Sequence, residues 1–180
     1  MVRLIRRGVW FLLGRLVLLL LLLGLVVVVF YEAMDYSNIQ IIIKDGMAHR
    51  AQTVLGMEDG QDLGKYFQQS FLANDAALIL TQQGDSPYRD YTIRGLDHRI
   101  EMSFLWVWPW ENRCTVSVVE RIPAIDGRIR GDKADAAVAA FGPGAVYPPA
   151  WQSARYRITL NRENGQWKMQ RVDETERLSE

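Results

Sequence analysis

"HRIEMSFLWVWPWENRCTVSVVERI", His98 to Ile122, is the stretch on which the reading of the fold turns. Its apolar residues recur at every second position: Ile100, Met102, Phe104, Trp106 and Trp108. Arg99, Glu101, Ser103, Leu105 and Val107 lie between them. Period two is the signature of a strand with one face buried. The alternation predicts that Phe104, Trp106 and Trp108 line a core or a concave face. It resumes with Cys114, Val116, Val118 and then Glu120 on one face, and Thr115, Ser117 and Arg121 on the other. "PWEN" between the two runs reads as a hairpin turn, with Pro109 removing a ladder donor as the first strand ends. Trp110 lies past that proline. It is the residue expected to stand free for a partner, a membrane or water.

The strands continue toward the C-terminus. "AIDGRIRG" reads as a short strand or sheet edge. "GDKADAAVAAFGPGAVYPPA" is an Ala-, Gly- and Pro-rich insertion, with a helical turn expected at Ala136 to Phe141. "SARYRITL" alternates Ala154, Tyr156, Ile158 and Leu160 against Arg155, Arg157 and Thr159. "NRENG" is a tight turn, and "QWKMQRV" returns with Trp167 and Met169 on one face. The tail "DETERLSE" is charged and expected to be loose, residues 175–180 being set apart as a charged tail.

Before Asp90 the period is helical. Ile39, Ile43, Met47, Ala51, Val54 and Leu55 form one stripe from Asn38 to Gly56, and Gly56 is a natural stop. "GMEDGQ" is a turn, and "QDLGKYFQQSFLAND" predicts a second helix capped by Asp59 or Asp62, with Leu63, Phe67 and Phe71 at spacing four. "AALIL" is too short to assign. Helices followed by antiparallel strands make an α+β domain, with the helices on one face of a curved sheet.

The N-terminus has a different character. "VWFLLGRLVLLLLLLGLVVVVFY", residues 9–31, carries a single charge, Arg15. As a helix it would extend about 34 Å, enough for a bilayer core of about 30 Å. Arg15 can snorkel toward headgroups, and Trp10 and Tyr31 sit where interfacial rings belong. Arg3, Arg6 and Arg7 precede the run, and Glu32 and Asp35 follow it. The positive-inside rule then predicts residues 1–8 in the cytoplasm and the rest outside the cell membrane. No small-x-small cleavage site follows, so an uncleaved single-pass anchor is expected, joined by a linker at 32–37 to an outer domain at 38–174.

Formal net charge is zero. Setting aside Arg3, Arg6, Arg7 and Arg15 leaves 17 basic against 21 acidic residues, about −4 for the remainder. Such a domain lacks the basic stripe that nucleic acid requires. One cysteine, Cys114, allows no internal disulfide, and flanked by valines on its face it reads as a buried structural thiol. No phosphate loop, nucleophile elbow or metal spacing occurs, so no cofactor is expected.

"LGKYFQQSFLANDAAL" and the closing hairpin "ARYRITLNRENGQWKMQRVDE" resemble the nuclear-transport-factor-2-like (NTF2-like) superfamily over residues 38–174. The resemblance implies a cone, a bent sheet wrapped on helices. Some members are isomerases and cyclases. Many are non-catalytic, and membrane-anchored ones serve as assembly modules of envelope machines. Two functions follow as expectations. One is a protein-interaction or self-association module without catalysis. The other is a ligand-binding or acid–base site in an aromatic cone lined by Phe104, Trp106, Tyr156 and Trp167. For the second, parity places Tyr91, Glu120, Tyr156 and Arg171 inward, where a Glu120–Arg171 ion pair at the sheet rim is the plainer outcome. Asp97 and His98 point to opposite faces of a strand and make a poor dyad.

Overall fold

The computed structural model describes residues 2–179, with side chains from residue 10 onward. It is α+β: a long apolar N-terminal helix, three further helices and a four-stranded antiparallel sheet. Its residues group into two compact units. One holds the chain up to Ser37 with Trp106–Glu111, and the other holds Asn38–Leu105 with the chain from Asn112 onward.

Helix α1 runs Val2–Val54 without interruption. The expected linker at 32–37 is therefore helical. "EAMDYS" contains neither glycine nor proline, so nothing in it stops a helix already propagating. Within Trp10–Val54 an 18-residue window reaches a mean hydropathy of 3.0 with none of it buried, long and apolar enough to cross a membrane. The helix ends where the glycine signal placed the stop. Gly56 takes φ 72°, Met57 N–H donates to Gln52 C=O at 2.8 Å and Gly56 N–H to Thr53 C=O at 3.0 Å. These two bonds are a Schellman cap.

The second predicted helix is broken. Gln61–Lys65 is a 3₁₀ turn and α2 is only Gln69–Leu72. Between them the backbone joins the sheet: Met169 N–H donates to Tyr66 C=O (2.8 Å) and Gln68 N–H to Met169 C=O (2.9 Å). Phe67 is thereby fully buried. Asp59 accepts from Gln61 N–H, and the 3₁₀ turn starts at Gly60 without a side-chain cap. Helix α3, Ala76–Gln83, forms from the unassigned "AALIL" because Asp75 caps it, accepting from Ala77 and Leu78 N–H.

Strands β1 (Tyr91–Met102), β2 (Arg113–Ile129), β3 (Ala154–Glu163) and β4 (Gln166–Arg177) lie side by side in chain order. "AIDGRIRG" is not a separate strand; it extends β2, whose second part pairs with β1 and whose first part pairs with β3. Only Val118 to Glu120 pair on both sides. The insertion forms α4, Gly131–Phe141, and a 3₁₀ turn at Pro143–Val146. Asn164 and Gly165, at φ 51° and 81°, make the two-residue β3–β4 turn. The tail is not loose up to Arg177, which pairs with Ala154.

Two expectations about faces fail. β1 ends at Met102, and Phe104, Trp106 and Trp108 are exposed rather than core or cone lining. Past Ser103 N–H, which bonds Ser117 C=O, no ladder carries the alternation on, and Val107, on the opposite parity, is the buried residue. Arg171 points outward because β4 bulges: Leu160 pairs with Met169 but Thr159 with Arg171, so Gln170 is an extra residue and reverses the parity after it.

The core of the sheet unit takes Ile39, Ile43, Met47, Ala51 and Val54 from α1, Val116, Val118 and Ile122 from β2, Ile158 and Leu160 from β3, and Trp167 and Met169 from β4. Gly46 lets α1 approach most closely. A Cβ there would lie 2.8 Å from Tyr66 Cβ and overlap the Met169 methyl group. Gly46→Ala is expected to destabilise the protein by about 1–3 kcal/mol despite alanine's better helix propensity. Gly64→Ala, whose methyl would meet only the Gln69 amide at 3.7 Å, stays near the parent. Thermal unfolding of the detergent-solubilised chain compares the two.

Candidate functional site

A cluster of buried and half-buried polar groups in the sheet unit draws on five elements. Arg50 lies on the apolar stripe of α1, between Met47 and Val54. Its Nε donates to Asp75 Oδ2 at 2.6 Å and its Nη2 to Oδ1 at 3.2 Å. Asp75 is the cap of α3, so one carboxylate neutralises the guanidinium and satisfies the helix N-terminus together. Glu120, at the position of β2 flanked by Ile100 of β1 and Ala154 of β3, is 0% exposed. Its Oε1 is 2.9 Å from His98 Nε2, and its Oε2 accepts from Trp151 Nε1 at 3.3 Å. An ionised carboxylate can only accept, so His98 donates from Nε2. Trp151 also stacks on Tyr88, with ring centroids 6.3 Å apart.

The electrostatics join the two pairs. Burial opposes the Arg50 charge, but the Asp75 hydrogen bond and the charges of Asp75 and Glu120 outweigh it and hold its pKa above the ordinary value. Burial pushes the Tyr156 hydroxyl up to about 12, with Glu120 adding to the shift and Arg50 opposing it. Tyr156 is thus a neutral donor beside the cluster over the whole physiological range. Arg50, Asp75 and Glu120 are each met by another group of the protein.

The sequence candidates divide around this cluster. Glu120 and Tyr156 belong to it. Tyr91 does not: its hydroxyl donates to Ala145 C=O at 3.1 Å. Trp167 is core, beneath the Arg162 guanidinium at 4.6 Å from its ring. Arg171 pairs with Asp173 at 3.0 Å on the surface, so the Glu120–Arg171 ion pair does not form. Arg171 lines a shallow groove of about 380 Å³ with Phe71 and Asn74. Phe104 is 79% exposed and Trp106 46%. Cys114 is buried as expected. Trp110 is 69% exposed, as Pro109 suggested. In the apolar helix Trp10 and Tyr31 are exposed, and the Arg15 guanidinium lies over the Phe11 ring at 4.3 Å, one turn toward the N-terminus. Among the described residues no group of His, Cys, Asp and Glu is arranged to hold a metal ion.

Arg50, Asp75, His98 and Trp151 are not brought together by the sequence reading; of the four only His98 is weighed there, in a poor dyad with Asp97. Signals for three of them were present. Arg50 interrupts an apolar stripe, Asp75 precedes a short apolar run as a cap does, and parity carried back from Ile100 puts His98 on the face of Glu120. Trp151 had no local pattern. No known protein family, curated protein or solved structure matches this chain.

Asp75→Ala would leave Arg50 buried without its partner and α3 without its cap. A loss of about 3–5 kcal/mol is expected in chemical denaturation, and Arg50→Met added to Asp75→Ala should recover part of it. Tyr156 predicts an alkaline limit. Its folded pKa is raised, so the folded state holds the proton more tightly than the unfolded state does. The stability it contributes is complete below about pH 10 and is lost as pH rises through about 12. Denaturation midpoints measured from pH 9 to 12 should fall more steeply for the parent than for Tyr156→Phe.

Proposed function

We propose that the chain is a single-pass, membrane-anchored interaction module whose NTF2-like domain stands outside the cell membrane and binds a protein partner or a second copy of itself. The anchor reading rests on the apolar run at residues 9–31, largely exposed along Trp10–Tyr31, and on the arginines that precede it. The cone reading rests on helices preceding a bulged antiparallel sheet that closes in a tryptophan-bearing hairpin. The polar cluster at Glu120 supports a binding rather than a chemical role. Both carboxylate oxygens are engaged by internal donors and the residue is closed to solvent, so Glu120 is not free to take a proton from a substrate.

One observation carries the interaction reading. Helix α4 has no buried residue, yet Ala134, Ala137, Val138 and Phe141 repeat at the three-and-four spacing of a docking face. Phe141 is 84% exposed. An uncovered apolar stripe of this kind marks a protein-binding surface. A photo-crosslinking side chain placed at Phe141 in intact membranes should give a discrete protein adduct, and Ala137→Asp should remove it. A domain that stays monomeric, with no adduct from position 141, would count decisively against the module.

A further inference from the structure

The tryptophan segment raises a separate question. Trp106, Trp108 and Trp110 are 46%, 42% and 69% exposed, yet their rings are ordered against one another. Trp106 and Trp108 meet edge to face at 5.5 Å, and Trp108 and Trp110 stack at 5.0 Å with 10° between their planes. The turn beneath is closed by Glu111 N–H on Trp108 C=O (2.8 Å) and Trp108 N–H on Glu111 Oε2 (3.1 Å). Three indoles presented together on a tight turn bring a large amphipathic area at small conformational cost.

The place of this turn along α1 identifies what covers it. Val107, 1% exposed, donates its backbone N–H to Glu32 Oε1 at 2.9 Å. Glu32 is itself buried, and its Oε2 has no hydrogen-bond partner. A carboxylate on a helix of exposed aliphatic residues is costly to bury, and the bond to Val107 is what recovers part of that cost. Glu32 is the residue immediately after Tyr31, where the apolar run stops. A run of 23 residues is about as long as a bilayer core is thick. The Glu32–Val107 bond therefore pins the turn at the level where hydrocarbon gives way to headgroups, the level at which indole rings partition best.

We propose that Trp106, Trp108 and Trp110 form a membrane-interface anchor, seated in the headgroup region of the leaflet at the C-terminal end of the span. The occupant of this surface is lipid. The rings bury their faces at the acyl boundary and direct their N–H groups to ester and phosphate oxygens. With Tyr31 they make an aromatic belt at the end of the span, which sets the helix's depth as interfacial aromatic residues do. The inference rests on the membrane-spanning reading of residues 9–31.

The test uses the full chain carrying Trp10→Phe, reconstituted in phosphatidylcholine vesicles, with and without lipid brominated high on its acyl chains. Three of the five remaining tryptophans are in the turn. Bromine should therefore quench roughly half of the emission. Replacing Trp106, Trp108 and Trp110 together by serine should abolish that quenching. Trp110→Phe, at the most exposed ring, should lower it by about a third without a folding cost. Emission untouched by bromine in a chain that stays with the vesicles through an alkaline wash would overturn the anchor while leaving the span intact. A chain released by the alkaline wash would overturn the span, and the anchor with it.

Discussion

The Arg50 guanidinium sits on the apolar stripe of α1, and the interior of the sheet unit is arranged around that charge. A buried cation costs several kcal/mol unless it is paired, and pairing needs a carboxylate delivered by another part of the chain. Asp75 delivers it from the cap of α3, where the same oxygens hold the first turn of that helix. The position of α3 is thereby tied to α1 through one side chain. Glu120 adds a second carboxylate from β2. It brings its own donors, His98 and Trp151, from β1 and from the segment before β3. Five elements share one electrostatic centre, and Tyr156 stays protonated beside it.

The sheet's geometry makes that convergence possible. β2 is 17 residues long and pairs with β3 along its first part and with β1 along its second. Glu120 falls in the short overlap, where backbone neighbours on both sides shut out water. Bulges set the rest. The extra residue at Gln170 turns Arg171 to the surface, where it pairs with Asp173, and Glu120 takes histidine as its partner. The close passage of α1 over β4 at Gly46 depends on the absence of a side chain there.

The tryptophan segment shows where periodicity misleads. "EMSFLWVW" alternates as cleanly as a strand, and through Met102 it is one. Beyond that point no neighbouring strand offers a ladder, and alternation without a ladder does not bury a face. The residue that is buried, Val107, is held by the Glu32 carboxylate, 75 positions away in sequence. No local pattern encodes such a bond. The same applies to Tyr66–Gln68, whose helical spacing yields to backbone pairing with β4.

The sequence by itself determined the long apolar helix, the glycine that ends it, the succession of helices then antiparallel strands, the Asn-Gly hairpin, and the inward faces of β2 and β3 through Glu120 and Tyr156. These follow from spacing and turn chemistry, which act over a few residues. Only the tertiary structure decided that α1 runs unbroken through residues 32–37, that Glu120 meets His98 and Trp151 instead of Arg171, that Arg50 and Asp75 neutralise each other, and that Trp106 and Trp108 join Trp110 in facing outward. Each of these depends on a bulge, a lost ladder or a partner far away in the chain. Such features exist only once the strands have chosen their register, because a shift of one residue exchanges the buried and exposed faces of everything that follows.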